Sequence, residues 1–127
     1  MAHTFKNIKV WQKAHELALE IYKVTRSFPS DERYGLTAQL RRSGASVATN
    51  IVEGYKRRSS KDFAHFLNLS DSSLEETKYH LLLAHDLRYL STTDYERLST
   101  LADEIGRMLF RFQEKVRTYS LELTAYS

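Results

Sequence analysis

One proline and four glycines are the only strong backbone breakers in 127 residues, and that scarcity limits the folds open to this chain more than any other feature. A backbone so rarely interrupted, with apolar residues recurring every three or four positions, is committed to long amphipathic helices. No segment alternates apolar and polar residues between turn signals as a strand would. The length suits one domain with a core that needs no disulfide or metal staples. With no cysteine, there is no disulfide framework, thiolate nucleophile or Cys-based zinc site, and the expected location is the reducing cytoplasm. Residues 1–9 contain no apolar leader core, and no run approaches the ~20 apolar residues that span a bilayer. A soluble protein with no membrane partner is expected.

The apolar spacing predicts four helices, at about 7–28, 31–57, 60–90 and 94–119, in one domain over 1–120, with a flexible tail at 121–127. In the first, Trp11, Ala14, Ala18, Ile21, Thr25 and Phe28 form the stripe, and Phe28-Pro29 ends it, because the residue before proline avoids the helical region. The second has Ser30 as N-cap with Asp31 and Glu32 in its first turn. Its seam is Leu36, Leu40, Ser43, Val47, Ile51 and Gly54. The third opens with Ser59 capping toward Asp62, and its seam runs through Phe63, Leu67, Ser70, Leu74, Thr77, Leu81 and Ala84. The fourth opens at Thr93, with Glu96 three residues on, and carries Tyr95, Leu98, Ala102, Ile105, Leu109, Phe112, Val116 and Tyr119. Short connections make consecutive helices antiparallel neighbours, so the fold class is all-α, an up-down-up-down four-helix bundle.

Two helices carry apolar surface beyond one seam. On the second, Tyr34, Ala38, Ala45, Ala48, Val52 and Tyr55 form another stripe; on the first, Leu19 and Tyr22 widen the existing one. A central position in the bundle accounts for a broad stripe. A subunit interface accounts for it equally, because alanines allow close helix approach and tyrosine pairs an apolar ring with a polar tip. A homo-oligomer is the expectation.

Charge is unevenly spread: residues 1–60 hold eleven Lys/Arg and five Asp/Glu, whereas 61–127 hold eight and eleven. Arg41 and Arg42 lie mid-helix, and Lys56, Arg57, Arg58 and Lys61 cluster at the junction of the second and third helices. Such clusters bind phosphates through charge and counterion release, without reading sequence. These six are the candidate nucleic-acid contacts, although Arg42 is better read as structural; Tyr34 and Tyr55 nearby could stack on bases, but packing in the core or an interface is the better reading of both. The alternative is ordinary solvation and pairing, including a Glu53 to Arg57 bridge one turn apart. Asn50, near the polar edge of the second helix, needs partners if buried.

Catalytic chemistry is absent. Di-iron bundles use inward Glu residues with Glu-x-x-His repeats, and the chain contains no Glu-x-x-His. Glu76 with His80, and Asp62 with His65, have helical spacing but recur on no partner helix, so they read as hydrogen-bonding pairs. Gly44-Ala45-Ser46-Val47-Ala48 lacks both the last glycine and the strand-to-helix setting of a nucleophile elbow. There is no phosphate-cradling glycine loop. No enzyme activity, cofactor, metal or small-molecule substrate is expected.

An ordered series of motifs resembles a known family. It comprises Val10-Trp11-Gln12-x-Ala14, Ile21-Tyr22, Phe28-Pro29, Glu32-Arg33-Tyr34-Gly35-Leu36-x-x-Gln39-Leu40-Arg41-Arg42, Asn50-Ile51-Val52-Glu53-Gly54, Asp62-Phe63-x-x-Phe66-Leu67 and Ser72-Ser73-Leu74-Glu75-Glu76. The series is similar to the bacterial four-helix-bundle proteins encoded in intervening sequences of 23S ribosomal RNA genes. The resemblance implies an antiparallel bundle assembled as a ring-like homopentamer, and it supplies no catalytic residues. In architecture the chain also looks similar to accessory proteins of diversity-generating retroelements, basic pentameric bundles that bind nucleic acid and a reverse transcriptase. The expected function is a non-enzymatic oligomer that binds RNA or DNA, as a scaffold for a nucleic-acid-processing partner. The alternative is a protein-assembly module with no nucleic-acid role.

Overall fold

The computed structural model describes residues 4–126, with side chains through residue 118. Four helices make up the fold: α1 (Lys9–Thr25), α2 (Leu36–Tyr55), α3 (Ser60–Asp86) and α4 (Thr92–Tyr126), with 3-10 turns at Phe5–Asn7 and Ser30–Glu32. Each helix packs on the next and α1 closes onto α4, while the diagonal pairs make no close backbone approach among the described residues. This is the all-α four-helix bundle that the periodicity predicts. Cross-helix pairs fix the antiparallel sense: Lys13 faces Glu104 and Glu20 faces Arg97 between α1 and α4, while Ser43 faces His80 and Ser46 faces Ser73 between α2 and α3.

The seams of α2 and α3 are buried as predicted, apart from Phe63, which is half-buried. In α4, Leu98, Ala102, Ile105, Leu109 and Val116 are buried, with Tyr95 and Phe112 packed against them; Tyr119 lies outside the described side chains. The stripe of α1 departs from expectation. Its buried positions are Val10, Ala14, Leu17, Ile21 and Thr25, whereas Trp11 and Ala18 lie at the edge. Trp11 is there because its ring is held by Phe5, edge-on at 4.9 Å, and stacked on His15 at 5.0 Å.

The helix ends differ from the expected ones for identifiable reasons. The first helix stops at Thr25, and the chain crosses through the Ser30–Glu32 turn before α2 starts at Leu36. Ser30 therefore does not cap α2. Glu32 does so from outside the helix, accepting the Leu36 N–H at Oε1 (3.1 Å) while its Oε2 accepts the Tyr89 hydroxyl (3.0 Å). At α3 the cap is the expected one, Ser59 Oγ accepting the Asp62 N–H at 3.1 Å. That helix ends near Asp86, short of residue 90, because Arg88 takes a positive φ of 66°. The Arg88 N–H then reaches the His85 carbonyl and the Tyr89 N–H the Ala84 carbonyl, both at 2.9 Å, closing the α3 carbonyls in a Schellman motif. The fourth helix is capped by Ser91, not Thr93, through the Asp94 N–H at 3.1 Å. Its backbone is helical through Tyr126; the flexibility expected of 121–127 falls outside the described side chains.

Gly106 marks a position where the fold leaves room. A Cβ built there would lie 3.5 Å from Leu74 Cδ2 and 3.8 Å from Lys78 Nζ, ordinary contacts. Gly106→Ala is therefore expected to stabilise the bundle by about 0.5–1 kcal/mol through helix propensity and a less free unfolded chain. Urea denaturation would show a raised midpoint at unchanged slope; a lowered midpoint would contradict it.

Candidate functional site

The six candidate phosphate contacts divide into two groups. Arg41 belongs to the junction between α1 and α2. Its Nε donates to Thr25 Oγ1 at 2.8 Å and its Nη2 reaches the Tyr22 carbonyl at 3.5 Å, with the guanidinium over the Tyr22 ring at 4.7 Å. Thr25 Oγ1 in turn donates to the Ile21 carbonyl at 2.7 Å, so Arg41 secures the last turn of α1. Arg42 donates to Gln39 Oε1 and is ion-paired with Glu76 of α3. Arg57 sits 3.4 Å from Glu53, as the one-turn spacing predicts, and lies over the Phe66 ring at 4.3 Å. The other three, Lys56, Arg58 and Lys61, are exposed and have no side-chain partner among the described residues.

Lys61 is in the first turn of α3, where the helix dipole disfavours a cation. Lys56 and Arg58 lie within the four-residue connection, 56–59, that precedes it. The arrangement presents three exposed cationic side chains to solvent, the form of contact that suits phosphate oxygens and carries no base readout.

The candidate interface residues also separate. Tyr34 is 88% exposed, but it precedes α2, so it lies in the turn before the helix and not on the second stripe. Ala38 is exposed, Ala45, Val52 and Tyr55 are half-buried, and Ala48 is buried within the bundle. On the neighbouring face of α1, Leu19 and Tyr22 are 58% and 46% exposed.

Between α2 and α3 runs a polar seam whose extent sequence reasoning missed. Ser70 Oγ donates to the Val47 carbonyl at 2.6 Å, Ser46 and Ser73 share a 2.9 Å hydrogen bond, and Asn50 Nδ2 donates to Ser46 at both the carbonyl and Oγ. Asn50 thus finds its partners on its own helix. Ser43 Oγ bonds His80 Nδ1 at 3.1 Å, and His80 Nε2 lies 3.8 Å from Glu76. The recurrence of Ser at 43, 46, 70 and 73 was the available signal: small hydroxyls on facing seams let two helices approach and cross-bond.

The pattern of the family described as 23S rRNA-intervening sequence protein matches residues 6–111. The chain belongs to that family. A crystal structure of a protein with unknown function from the S23 ribosomal protein family of Bacteroides thetaiotaomicron VPI-5482 is similar, with a TM-score of 0.77 and 27% identity. The likeness covers 83% of this chain and 95% of that one. No curated protein matches. In this member of the 23S rRNA-intervening sequence family, all six candidate cations and the whole polar seam lie inside the matched stretch.

The seam carries the titratable group of most consequence. Burial pushes the His80 imidazole below its usual pKa of 6.5, and Arg42 adds to this while Glu76 opposes it. The unfolded chain therefore takes up a proton at higher pH than the folded chain, so this contribution to stability is complete above about pH 6.5 and is lost as pH falls below it. Thermal unfolding of the wild type is expected to weaken more between pH 7.5 and 5.5 than that of His80→Gln, whose amide can still meet Ser43. Parallel curves would contradict it. Among the described residues no group of three or more His, Asp or Glu is placed to hold a metal ion. In the groove of about 510 Å³ between α3 and α4, which Asp71, Arg107 and Arg111 also line, Lys78 joins Glu75 (3.2 Å) to Asp103 (3.3 Å).

Proposed function

We propose that this chain is a non-enzymatic bundle that binds RNA or DNA by phosphate contacts at the junction of α2 and α3. The observation that carries this reading is the set Lys56, Arg58 and Lys61, exposed and unpartnered beside a short connection, while Arg41, Arg42 and Arg57 are already engaged. Lys61, unpartnered in the first turn of α3, costs stability through the helix dipole, and a bound phosphate would offset that cost.

Self-assembly belongs to the same reading. Exposed Leu19 and Tyr22 on α1, with exposed Ala38 and half-buried Ala45 on α2, form an apolar strip joined by the contact of Arg41 with Tyr22. That strip supports a ring-like homo-oligomer, a homopentamer by resemblance, with room to scaffold a nucleic-acid-processing partner. Sedimentation of the wild type and of Leu19→Glu tests it, since a monomeric wild type would remove this part of the proposal.

The binding test is a salt series with structured RNA and duplex DNA, on the wild type and on Lys56→Ala/Arg58→Ala/Lys61→Ala. Binding is expected to fall steeply with salt, and the log-log slope on DNA to shrink by about 2–3 in the variant, near 0.9 per lost phosphate contact. Absence of binding at low salt would favour the protein-assembly alternative.

A further inference from the structure

The antiparallel order brings four helix segments to one end of the bundle. Phe63 at the start of α3 meets Phe112 of α4 edge-on at 5.6 Å, and Gly54 near the end of α2 lies under Phe63 and Phe66. Ile8 and Val10 at the start of α1 share with Met108 and Phe112 a groove of about 380 Å³. This is within the range of small-ligand sites. The floor is apolar and the rim carries three cations, Lys9, Arg111 and Lys115, whose side chains have no partner among the described residues. The charge count by halves hides them, because two lie in the half with net negative charge.

We propose that this groove seats one unstacked base of a single-stranded nucleic acid whose phosphates run over Lys9, Arg111 and Lys115. The inference rests on the nucleic-acid reading above and narrows it to single strands. An apolar floor ringed by cations matches a base, with its π-face, flanked by phosphates. The cations also continue beyond the groove. Arg107, likewise unpaired, Arg111 and Lys115 recur every four residues along α4, a pitch of ~6 Å. Lys61 in the first turn of α3 and Lys56 just after α2 lie at the same end. That track exceeds what one anionic headgroup needs, which favours a chain of phosphates over an amphiphile. A paired base in a duplex cannot enter the groove, so strandedness is the discriminating property.

The test measures binding of the full chain to a short single-stranded oligonucleotide, to the same strand with one base removed at successive positions, and to its duplex. It is repeated on Lys9→Ala/Arg111→Ala/Lys115→Ala, all exposed positions, and on Ile8→Asp. Ile8 is the N-cap of α1 and makes no side-chain capping bond, so an aspartate there can cap the helix while placing a carboxylate at the groove. Circular dichroism confirms that each variant is folded. Base removal at the seated position is expected to weaken binding about 5- to 100-fold. The triple alanine variant should lose about 2 from the log-log salt slope, and Ile8→Asp should lose single-strand affinity while duplex binding stays. Indifference to base removal and to both variants, with loss of binding in Lys56→Ala/Arg58→Ala/Lys61→Ala, would overturn the groove and leave the junction reading standing. Binding of neither strand form at low salt would overturn both. Saturation of the groove by dodecyl phosphate or an acidic peptide, without single-strand binding, would also overturn it.

Discussion

Gly54→Ala is expected to destabilise the bundle by about 1–3 kcal/mol, against the usual gain from replacing a helical glycine. A Cβ at position 54 would lie 2.8 Å from Phe63 Cδ1 and 2.9 Å from Phe66 Cβ. The Phe63 ring has little freedom to retreat, because it is already packed edge-on against Phe112. The Phe66 Cβ is tied to its own backbone, so relief there requires α2 and α3 to separate. Such separation would loosen the bonds along the seam, including Ser70 to the Val47 carbonyl and Ser46 to Ser73. At about 3–5 °C per kcal/mol for a chain of this size, thermal unfolding would show the loss directly. An unchanged or raised midpoint would mean that the two helices are not in close contact at this point. The sign is opposite to that expected for Gly106→Ala, where the same methyl meets only ordinary contacts.

What the amino-acid pattern discloses follows from how local each cause is. The seams of α2 and α3 were legible because their apolar and small residues keep a strict three-and-four spacing and each lies against two neighbours. The stripe of α1 was less so: Trp11 drew the expected stripe toward itself, yet its ring is held by Phe5 and His15, and Val10 and Leu17 took the buried line. The end of α3 was not legible because Arg88 adopts a left-handed conformation that a glycine would have announced. Glu32 was expected inside α2, but it caps that helix from the preceding turn and also accepts the Tyr89 hydroxyl 57 residues away, a contact no local pattern encodes. The cations show the same division. The Glu53 to Arg57 pair follows from one-turn spacing, whereas the attachment of Arg41 to Thr25 and Tyr22, and of Arg42 to Glu76, depends on which helix lies alongside. Charge counts along the chain therefore overstated how many arginines are free, and they missed the groove cations gathered by the antiparallel order.

Gly44 offers the sharpest test of the packing between α1 and α2, because its conflict resides in a single atom. A Cβ at position 44 would lie 2.6 Å from Ile21 Cδ1, while the next nearest atoms, Ile21 Cγ1 and Cβ, are at 3.7 and 3.8 Å. Both residues are buried, so the Ile21 tip can yield only within the packed interior. Gly44→Ala alone is expected to cost about 1–3 kcal/mol, and Ile21→Val alone about 0.5–1.5 kcal/mol through the lost methyl and the cavity it leaves. Combined, the new methyl occupies the space that Cδ1 vacates, leaving only ordinary contacts. The double variant should therefore be more stable than Gly44→Ala, with a coupling of roughly 1–3 kcal/mol. No such rescue is available at Gly54, where truncating Phe66 to Ala leaves the offending Cβ in place. Urea denaturation of the four proteins measures the coupling; simple additivity would show that α1 and α2 shift apart as rigid bodies, and that the contact at Ile21 does not set their spacing.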